Sequence, residues 1–399
     1  MGRISWKSFC ACSWILIYGL SYIYLQVEGA FHFLFVEQTQ LFLYDWAENA
    51  TVLLKPAGLA VLVANFCIQH FAVAYVGPLI MSGWIVVVGV LLQCALTKAF
   101  SARIIQIMAI LPVIASFCAI FVEQYHYASI VASAFLALCL WGYFEIVSHK
   151  FRLAYVWTMT IVLFLAAGSV SVLFFVITLC YELFHYRTKA YVHAIPFIAM
   201  IVLVMLGQHK QWYGELRLIL LPDSFYNNRM RPLPLIYFAW ASIPMAFIVA
   251  TIADRLPSKQ IMVRVRAITL ILLLVLCGGY VFKTTPLPDV YEELDCYLRK
   301  GEWQKLLTRV KTLQRRNYVY ATMQNLALAE SRQLADKMFF YPQMGVKGIH
   351  PEWNKIPYLS MLLSDLYFSM GQIALSQRMA FEANVTYNNN NPRMLMRLV

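Results

Sequence analysis

Long apolar runs recur along the first 283 residues of the chain, and short segments that contain most of the charged residues separate them. Each clear run has roughly 18 or more residues, the length that a helix needs to cross a bilayer. The pattern predicts an all-α fold, with a polytopic helical membrane bundle in residues 1–283 and a soluble helical domain in residues 284–399. The clear runs are residues 9–27, 78–97, 104–122, 128–147, 191–207, 233–253 and 265–283.

Two further apolar stretches are ambiguous. Residues 57–76 contain three polar side chains on neighbouring turns, which is typical of an interfacial or re-entrant helix, or of an amphipathic helix that packs against the bundle. Residues 153–184 are long for one crossing and short for two, with Gly168 and Ser169 near the middle. This stretch is either a pair of helices that meet at FLAAGSVSVLFF or one kinked helix. The polar residues of the first stretch are Asn65, Gln69 and His70.

The distribution of lysine and arginine over the loops favours nine crossings, because cytoplasmic loops collect these residues. If residues 57–76 do not cross and residues 153–184 cross twice, the inner loops contain 12 Lys and Arg and the outer loops 5. A single crossing at 153–184 gives 10 and 7, and letting 57–76 cross as well removes or reverses the bias. The preferred topology therefore has a cytoplasmic amino terminus and an extracytoplasmic carboxy-terminal domain. An eight-span topology is the alternative.

The carboxy-terminal domain contains a weak internal repeat. Tyr297 and Tyr367 are each followed four residues later by a glycine, and the two units are 70 residues apart. That offset is about twice the period of tetratricopeptide repeats, which is ~34 residues. In such repeats the tyrosine packs between paired helices and the glycine permits a tight turn. The pattern predicts tetratricopeptide-like helical hairpins, or a generic helical domain, and residues 325–339 form a middle helical unit that lacks the glycine.

The two ends of the chain allow alternatives. The first apolar run could be a signal peptide, but Tyr18, Tyr22 and Tyr24 are unusual in the core of one, which favours a retained first span. At the other end, MLMRLV follows soon after Pro392 and is typical of the start of another helix. The repeat array therefore ends abruptly, or the chain is a fragment of a longer protein.

Composition supports the membrane assignment and excludes several other classes. Of the residues, 61% are hydrophobic and 13% charged, whereas soluble domains have about 25% charged residues. The nine cysteines form no CxxC pair, and the eight histidines form no HExxH motif, although Glu28 and His32 could share one helical face. We therefore predict no metal site and leave any cofactor unspecified. The chain has no P-loop, no GxGxxG and no aromatic–basic array for nucleic acid, so the net charge of +12 reflects membrane topology and a mildly basic tail.

Three segments resemble an uncharacterised bacterial family of multi-pass membrane proteins, known as domain of unknown function 6057. They are PAGLAVLVANFCIQHF, NLALAESRQLADKMFFYPQMG and SMGQIALSQRMAFEANV, at residues 56–71, 325–345 and 369–385. The resemblance covers most of the chain, although members of that family usually run longer. It implies a multi-pass membrane protein and brings no established activity or catalytic residues.

The membrane half is also similar, in layout alone, to glycosyltransferases of the C class. These enzymes have a long first outer loop with an interfacial helix, and they transfer sugars from lipid-phosphate donors. The resemblance implies a catalytic acid in that loop, where LFLYDWAENATVLL (residues 41–54) contains Asp45 and Glu48. One carboxylate would take the proton of the acceptor. The alternative for Asp45 is a loop acid or a helix cap.

Cationic groups would have to stabilise the departing phosphate in such a transfer. Arg217, Arg229 and Arg231 lie in the predicted outer loop HKQWYGELRLILLPDSFYNNRMRPLP, and guanidinium groups match phosphate geometry. The alternative is that these arginines lie at the outer surface or contact the carboxy-terminal domain.

Two functional hypotheses follow for a protein of the bacterial inner membrane. The first is a glycosyltransferase-like enzyme that uses a lipid-linked sugar at the outer face. The second is a non-catalytic scaffold or assembly protein of an envelope complex, which binds a protein partner through its helical repeats. A transporter is a third hypothesis. It ranks last because, apart from Glu145 and Glu182 near inner span ends, the apolar runs lack the buried charges that an ion path needs.

Overall fold

The computed structural model describes residues 6–73, 75–100, 103–122, 125–185, 194–210, 234–255, 260–284, 290–313, 317–354, 356–386 and 391–399. Within these residues the chain forms helices and turns, with an isolated bridge between Met344 and Val346. This confirms the all-α class. The chain divides into two compact units. The first comprises Met1–Leu25, Leu43–Cys67 and Pro78–Leu287, and the second comprises Gln26–Phe42, Ile68–Gly77 and Pro288–Val399.

Helices α1 to α12 precede the carboxy-terminal domain. The end of α1, all of α2, the last residue of α4 and the first two residues of α5 belong to the second unit. Short 3₁₀ turns at Gln69–Ala72 and Arg103–Ala109 precede α5 and α6. The helices are α1 (Trp6–Glu28), α2 (Ala30–Glu37), α3 (Trp46–Leu53), α4 (Gly58–Ile68), α5 (Val76–Ala99), α6 (Ile110–Ala119), α7 (Ala128–Glu145), α8 (His149–Ala167), α9 (Val170–His185), α10 (Ala194–His209), α11 (Pro234–Arg255) and α12 (Gln260–Thr284).

Five helices in the described part of the chain are long and apolar enough to cross a membrane. They are Cys10–Glu28, Val76–Ala99, Ala128–Glu145, His149–Ala167 and Pro234–Asp254. Shorter apolar helices occur at Gly58–Ala72, Gln106–Ala119, Val170–His185, Ile195–His209 and Ala267–Tyr280. The structure thus describes a helical protein with several membrane-compatible helices, and the number of nine crossings stays a prediction.

The surface of α1 shows why these helices suit a lipid environment. Ile15, Leu16, Leu20 and Ile23 are all more than half exposed. In water such an apolar face would be costly, whereas hydrocarbon chains solvate it. The exposed apolar face therefore indicates a membrane protein.

Residues 153–184 belong to two helices that meet at Gly168. This glycine follows the end of α8 with φ 70°, a conformation that residues with a Cβ rarely adopt. The carbonyl of Leu165, near the end of α8, accepts a hydrogen bond of 2.9 Å from the backbone N–H of Ala57. A break at membrane depth requires such internal partners, because lipid offers none. The predicted break at FLAAGSVSVLFF is confirmed.

Gly58 is required in the turn that supplies this hydrogen bond. A Cβ at Gly58 would lie 2.0 Å from the carbonyl oxygen of Val52, which is impossible without moving the backbone. Ala57 has φ 66°. The PAG sequence thus forms a tight turn between α3 and α4, and this turn aims the N–H of Ala57 at α8.

The carboxy-terminal domain is built of successive short helices. Helix α16 continues into a 3₁₀ turn at Met338–Phe340. The helices are α13 (Val290–Arg299), α14 (Trp303–Thr312), α15 (Tyr318–Glu330), α16 (Leu334–Lys337), α17 (Pro357–Ser369), α18 (Ile373–Thr386) and α19 (Pro392–Leu398).

Three of the connecting turns share one geometry. Gly301, Arg332 and Gly371 have φ of 67°, 58° and 73°. In each turn the next residue donates its backbone N–H to a carbonyl five positions back, at 2.8–2.9 Å. This bond pattern, with a left-handed residue, is the Schellman ending of a helix. The turns at Gly301 and Gly371 are those that the repeat predicted, and Arg332 takes the same role in the middle unit.

Helix α2 packs on this domain through its aromatic side chains. Phe35 contacts Tyr291 edge to face, with ring centroids 5.9 Å apart, and Phe31 contacts Tyr297 at 5.5 Å. Phe33 contacts Phe71 at 5.2 Å. The second unit is therefore larger than the predicted domain of residues 284–399, because two loop segments complete its core.

Candidate binding cleft in the second unit

Arg393, whose side chain is 11% exposed, links three segments of the second unit. Nη1 of Arg393 donates to Oε1 of Gln38 and to Oδ1 of Asp295, both at 2.9 Å, and Nη2 donates to Oδ2 of Asp365. The Gln38 amide also donates to Asp295 at 3.1 Å. Removal of charge from water is costly unless the charged group finds partners, and here both terminal nitrogens of the guanidinium group donate to carboxylates.

Two more arginines extend this network. Arg397 donates to Asp365 at 2.9 Å, and its guanidinium carbon lies 3.9 Å from the ring centroid of Phe368. Arg299 lies 3.4 Å from Asp295 and donates to the backbone carbonyl of Leu34, in α2, at 2.9 Å. The three guanidinium groups are thus already engaged by carboxylates and carbonyls.

A second buried pair joins α2 to α13. Nδ1 of His32 lies 2.8 Å from Oε1 of Glu292, and the two residues are 2% and 5% exposed. The sequence suggested Glu28 as a partner on the same helical face, but the helix breaks at Gly29, between α1 and α2. The partner of His32 is therefore in the carboxy-terminal domain.

A cleft of about 780 Å³ opens beside this network. Its volume lies within the range of ligand pockets, roughly 300–1,000 Å³. The carboxyl ends of α2, α13, α15 and α17 form its walls together with the amino ends of α14 and α19. Besides the arginines, the lining side chains include Glu37, Leu298, Trp303, Leu326, Glu330, Phe368 and Met396.

Two acids of the lining differ in environment. Burial raises the pKa of the Glu37 carboxyl above its ordinary value, and the nearby Arg299 partly opposes this effect. Glu330 is exposed and accepts a hydrogen bond from the hydroxyl of Ser369. The residues that line the cleft, all of them described, include neither histidine nor cysteine. The charged side chains of the lining are therefore carboxylates and guanidinium groups.

The structure gives Asp45 a local structural role. Asp45 is the N-cap of α3, and its Oδ1 accepts a hydrogen bond of 3.0 Å from the N–H of Ala47. Glu48 lies in the first turn of the same helix, and both carboxylates are exposed. These contacts correspond to the helix-cap alternative. The catalytic role of Asp45 and Glu48 stays a prediction.

The other predicted site residues, Arg217, Arg229 and Arg231, lie outside the described residues. The structure therefore does not test whether these arginines and Asp45 lie near one another.

Glu182 forms a separate polar cluster in the first unit. It is fully buried, accepts a hydrogen bond of 2.6 Å from the hydroxyl of Tyr143, and lies 3.8 Å from Nε2 of His149. Glu145 is exposed and pairs with Lys98 at 2.8 Å. Glu182 thus connects α7 with α9, and Glu145 connects α5 with α7.

Sequence patterns did not predict the cleft, although the positions of some residues in and beside it indicate buried ion pairs. Asp295, Asp365 and Arg393 are charged residues among apolar positions of amphipathic helices, which indicates burial with partners. The partners lie up to 355 residues apart, as with Gln38 and Arg393, so one sequence does not reveal the pairing.

The fold and the cleft define a class: an all-helical membrane protein with a compact helical unit that contains a ligand-sized cleft. The chain belongs to the DUF6057 family, described as a family of unknown function, whose model matches residues 4–399. This confirms the resemblance noted in the three sequence segments. The chain matches no curated protein and no solved structure.

Proposed function

We propose that the protein is a membrane-anchored binding protein, whose second unit binds a polypeptide partner in its cleft on the outer side of a bacterial inner membrane. The observation that carries this proposal is the cleft itself, which has the size of a ligand site and is held together by a largely buried network of ion pairs. This is the scaffold hypothesis, made specific to one surface.

The chain segments that make up the second unit support a nine-span topology. Residues 26–42, 68–77 and 288–399 form one compact unit, so they belong on the same side of the membrane. Helix α3 has eight residues and is too short to cross a hydrocarbon core of roughly 30 Å, so a crossing by α4 alone would put residues 26–42 and 68–77 on opposite sides of the membrane. The number of crossings between residues 77 and 288 must then be even.

The described helices provide the required even number. Counting α6 with its preceding 3₁₀ turn, α5 to α12 are eight apolar segments. With α1 they make nine crossings, and the charge distribution over the loops puts the second unit outside. In an eight-span topology residues 26–42 and residues 288–399 would lie on opposite sides of the membrane, so the buried contact of His32 with Glu292 favours nine spans.

The hairpins of the second unit support a tetratricopeptide-like domain. Helices α17 and α18 approach closely where Ser364 and Ser376 exchange hydrogen bonds of 2.8–3.3 Å, and Ala380 and Ala383 are fully buried. Small residues at these positions permit the close approach. Arrays of such hairpins form concave surfaces that bind other chains.

Photo-crosslinking in intact cells tests the proposal. A photoreactive amino acid replaces Met396, whose exposed side chain lines the cleft, or Phe339, which is equally exposed but does not line it. We expect a discrete protein adduct at position 396 alone, and a lower yield when Phe368→Ala is added. Equal adducts at both positions, or none at 396, would contradict binding in the cleft.

A further inference from the structure

The charges around the cleft do not balance. The lining has three carboxylates, those of Glu37, Glu330 and Asp365, and three guanidinium groups, and Asp295, which is buried beneath the lining and pairs with two of the arginines, is a fourth acid. Asp295 and Asp365 hold the arginines, which leaves Glu37 and Glu330 as the acids that a ligand would meet. Each guanidinium group already pairs with a carboxylate, which weakens its attraction for a further anion.

Helix ends add to the negative potential. The last residues of α2, α13, α15 and α17 all line the cleft. Each of these helices has at least eight residues, and the carboxyl end of a helix carries a partial negative charge of about −0.5. The amino ends of α14 and α19 also line the cleft, so helix ends with a partial negative charge outnumber those with a partial positive charge by four to two, which favours a cation over an anion.

The cleft also presents an apolar surface. Leu298 and Leu326 are buried beneath it, while Phe368 and Met396 are 52% and 76% exposed at its edge. Trp303 lies at the amino end of α14 on the same surface. Exposed aromatic and methionine side chains are enriched where proteins bind partners.

We propose that the cleft binds a polypeptide segment in which a lysine or arginine lies next to an aliphatic or aromatic side chain. The cationic group meets the carboxylates of Glu37 and Glu330, and the apolar side chain packs against Trp303 and Phe368. This inference rests on the proposed function, and it adds the chemical class of the partner.

Peptide binding to the full chain in nanodiscs of neutral lipid tests this inference. The probes are a fluorescent peptide of alternating lysine and leucine and a matched peptide with glutamate in place of lysine, followed by fluorescence anisotropy. We expect the lysine peptide to bind and the glutamate peptide not to bind. The double variant Glu37→Gln with Glu330→Gln should weaken binding about tenfold, since each half-exposed pair contributes up to ~1 kcal/mol.

The control is Asp336→Asn with Glu352→Gln, which removes the same net charge from exposed acids that do not line the cleft. This variant should bind the lysine peptide as the wild type does. Equal weakening in both double variants would show a general charge effect and overturn the inference.

The remaining outcomes separate the inference from the proposed function. The glutamate peptide could bind as tightly as the lysine peptide and lose that binding in the double variant Phe368→Ala with Met396→Ser. The cleft would then bind peptides, but the inference that its ligand is cationic would be wrong. If neither peptide binds, the inference is overturned, and the crosslinks at position 396 decide the proposed function on their own. If the lysine peptide binds and the apolar variant leaves that binding unchanged, the peptide binds outside the cleft and the inference is overturned, while the crosslinks still decide the proposed function.

Discussion

His32 and Glu292 are 260 positions apart in the chain, yet Nδ1 of the imidazole lies 2.8 Å from the carboxylate, and both side chains are buried. The pair connects the loop after the first helix to the beginning of the carboxy-terminal domain. A loop fixed by a buried polar pair is part of the folded unit and not a flexible connection. Residues 26–42 and 288–399 should therefore unfold together.

We expect His32→Ala to destabilise the second unit by about 3 kcal/mol, because it leaves the Glu292 carboxylate buried without this partner. The double variant His32→Leu with Glu292→Met should recover most of the loss. Cys296 reports the change, since it is 1% exposed and burial raises the pKa of its thiol. The rate of its labelling, measured by peptide mass spectrometry, should rise roughly a hundredfold in the single variant. An unchanged rate would show that the pair does not hold the unit together.

Glu37→Gln should stabilise the second unit at neutral pH and have no effect in acid. Burial raises the pKa of Glu37 above 4.5, so the folded state binds its proton more tightly than the unfolded state does. The contribution of the Glu37 carboxyl to the stability of the second unit is fully present below pH 4.5. It is lost as the pH rises through the pKa that this carboxyl has in the folded state. Labelling of Cys296 in variant and wild type, compared at equal pH, should diverge as the pH increases. A difference that is constant with pH would contradict this prediction.

Arg332→Gly should stabilise the second unit by about 1 kcal/mol, because a residue with a Cβ is strained at positive φ. Gly371→Ala should destabilise it by a similar amount. A Cβ at Gly371 would meet no atom within 4 Å, so the effect comes from the backbone alone. Cys296 labelling should slow about fivefold in the first variant and accelerate in the second. Opposite signs would mean that the turns do not limit the stability of the hairpins.

Asp45→Asn separates the enzyme hypothesis from the binding hypothesis. Asparagine caps a helix as well as aspartate does, so α3 should remain folded while the carboxylate is lost. The binding hypothesis predicts that this variant, at a normal protein level, complements every defect of a deletion strain and leaves the cellular glycans unchanged. Loss of a glycan product, with the protein present in the membrane, would instead favour the glycosyltransferase hypothesis.

Local patterns in the sequence predicted the helical class, the helix break at Gly168 and the turns at Gly301 and Gly371. These features depend on residues close together in the chain, through hydrophobic periodicity and the conformational freedom of glycine. The middle hairpin was only partly predicted, because Arg332 adopts a left-handed conformation that its residue type disfavours.

The cleft depends on contacts between distant residues, and for that reason one sequence did not reveal it. Gln38 belongs to a predicted loop, and only the structure shows that it joins Asp295 and Arg393. The candidate acid Asp45 was predicted to lie in an outer loop, and the structure adds that it caps α3.

Everything proposed for the cleft requires the first loop and the carboxy-terminal domain to lie together on the outer face. Single cysteines at the exposed positions Thr51, Lys305 and Lys150 report this directly with a membrane-impermeant thiol reagent on spheroplasts. We predict that Thr51→Cys and Lys305→Cys are labelled in intact spheroplasts and Lys150→Cys only after lysis. Labelling of positions 51 and 305 from opposite sides of the membrane, or of both only after lysis, would contradict the proposed architecture.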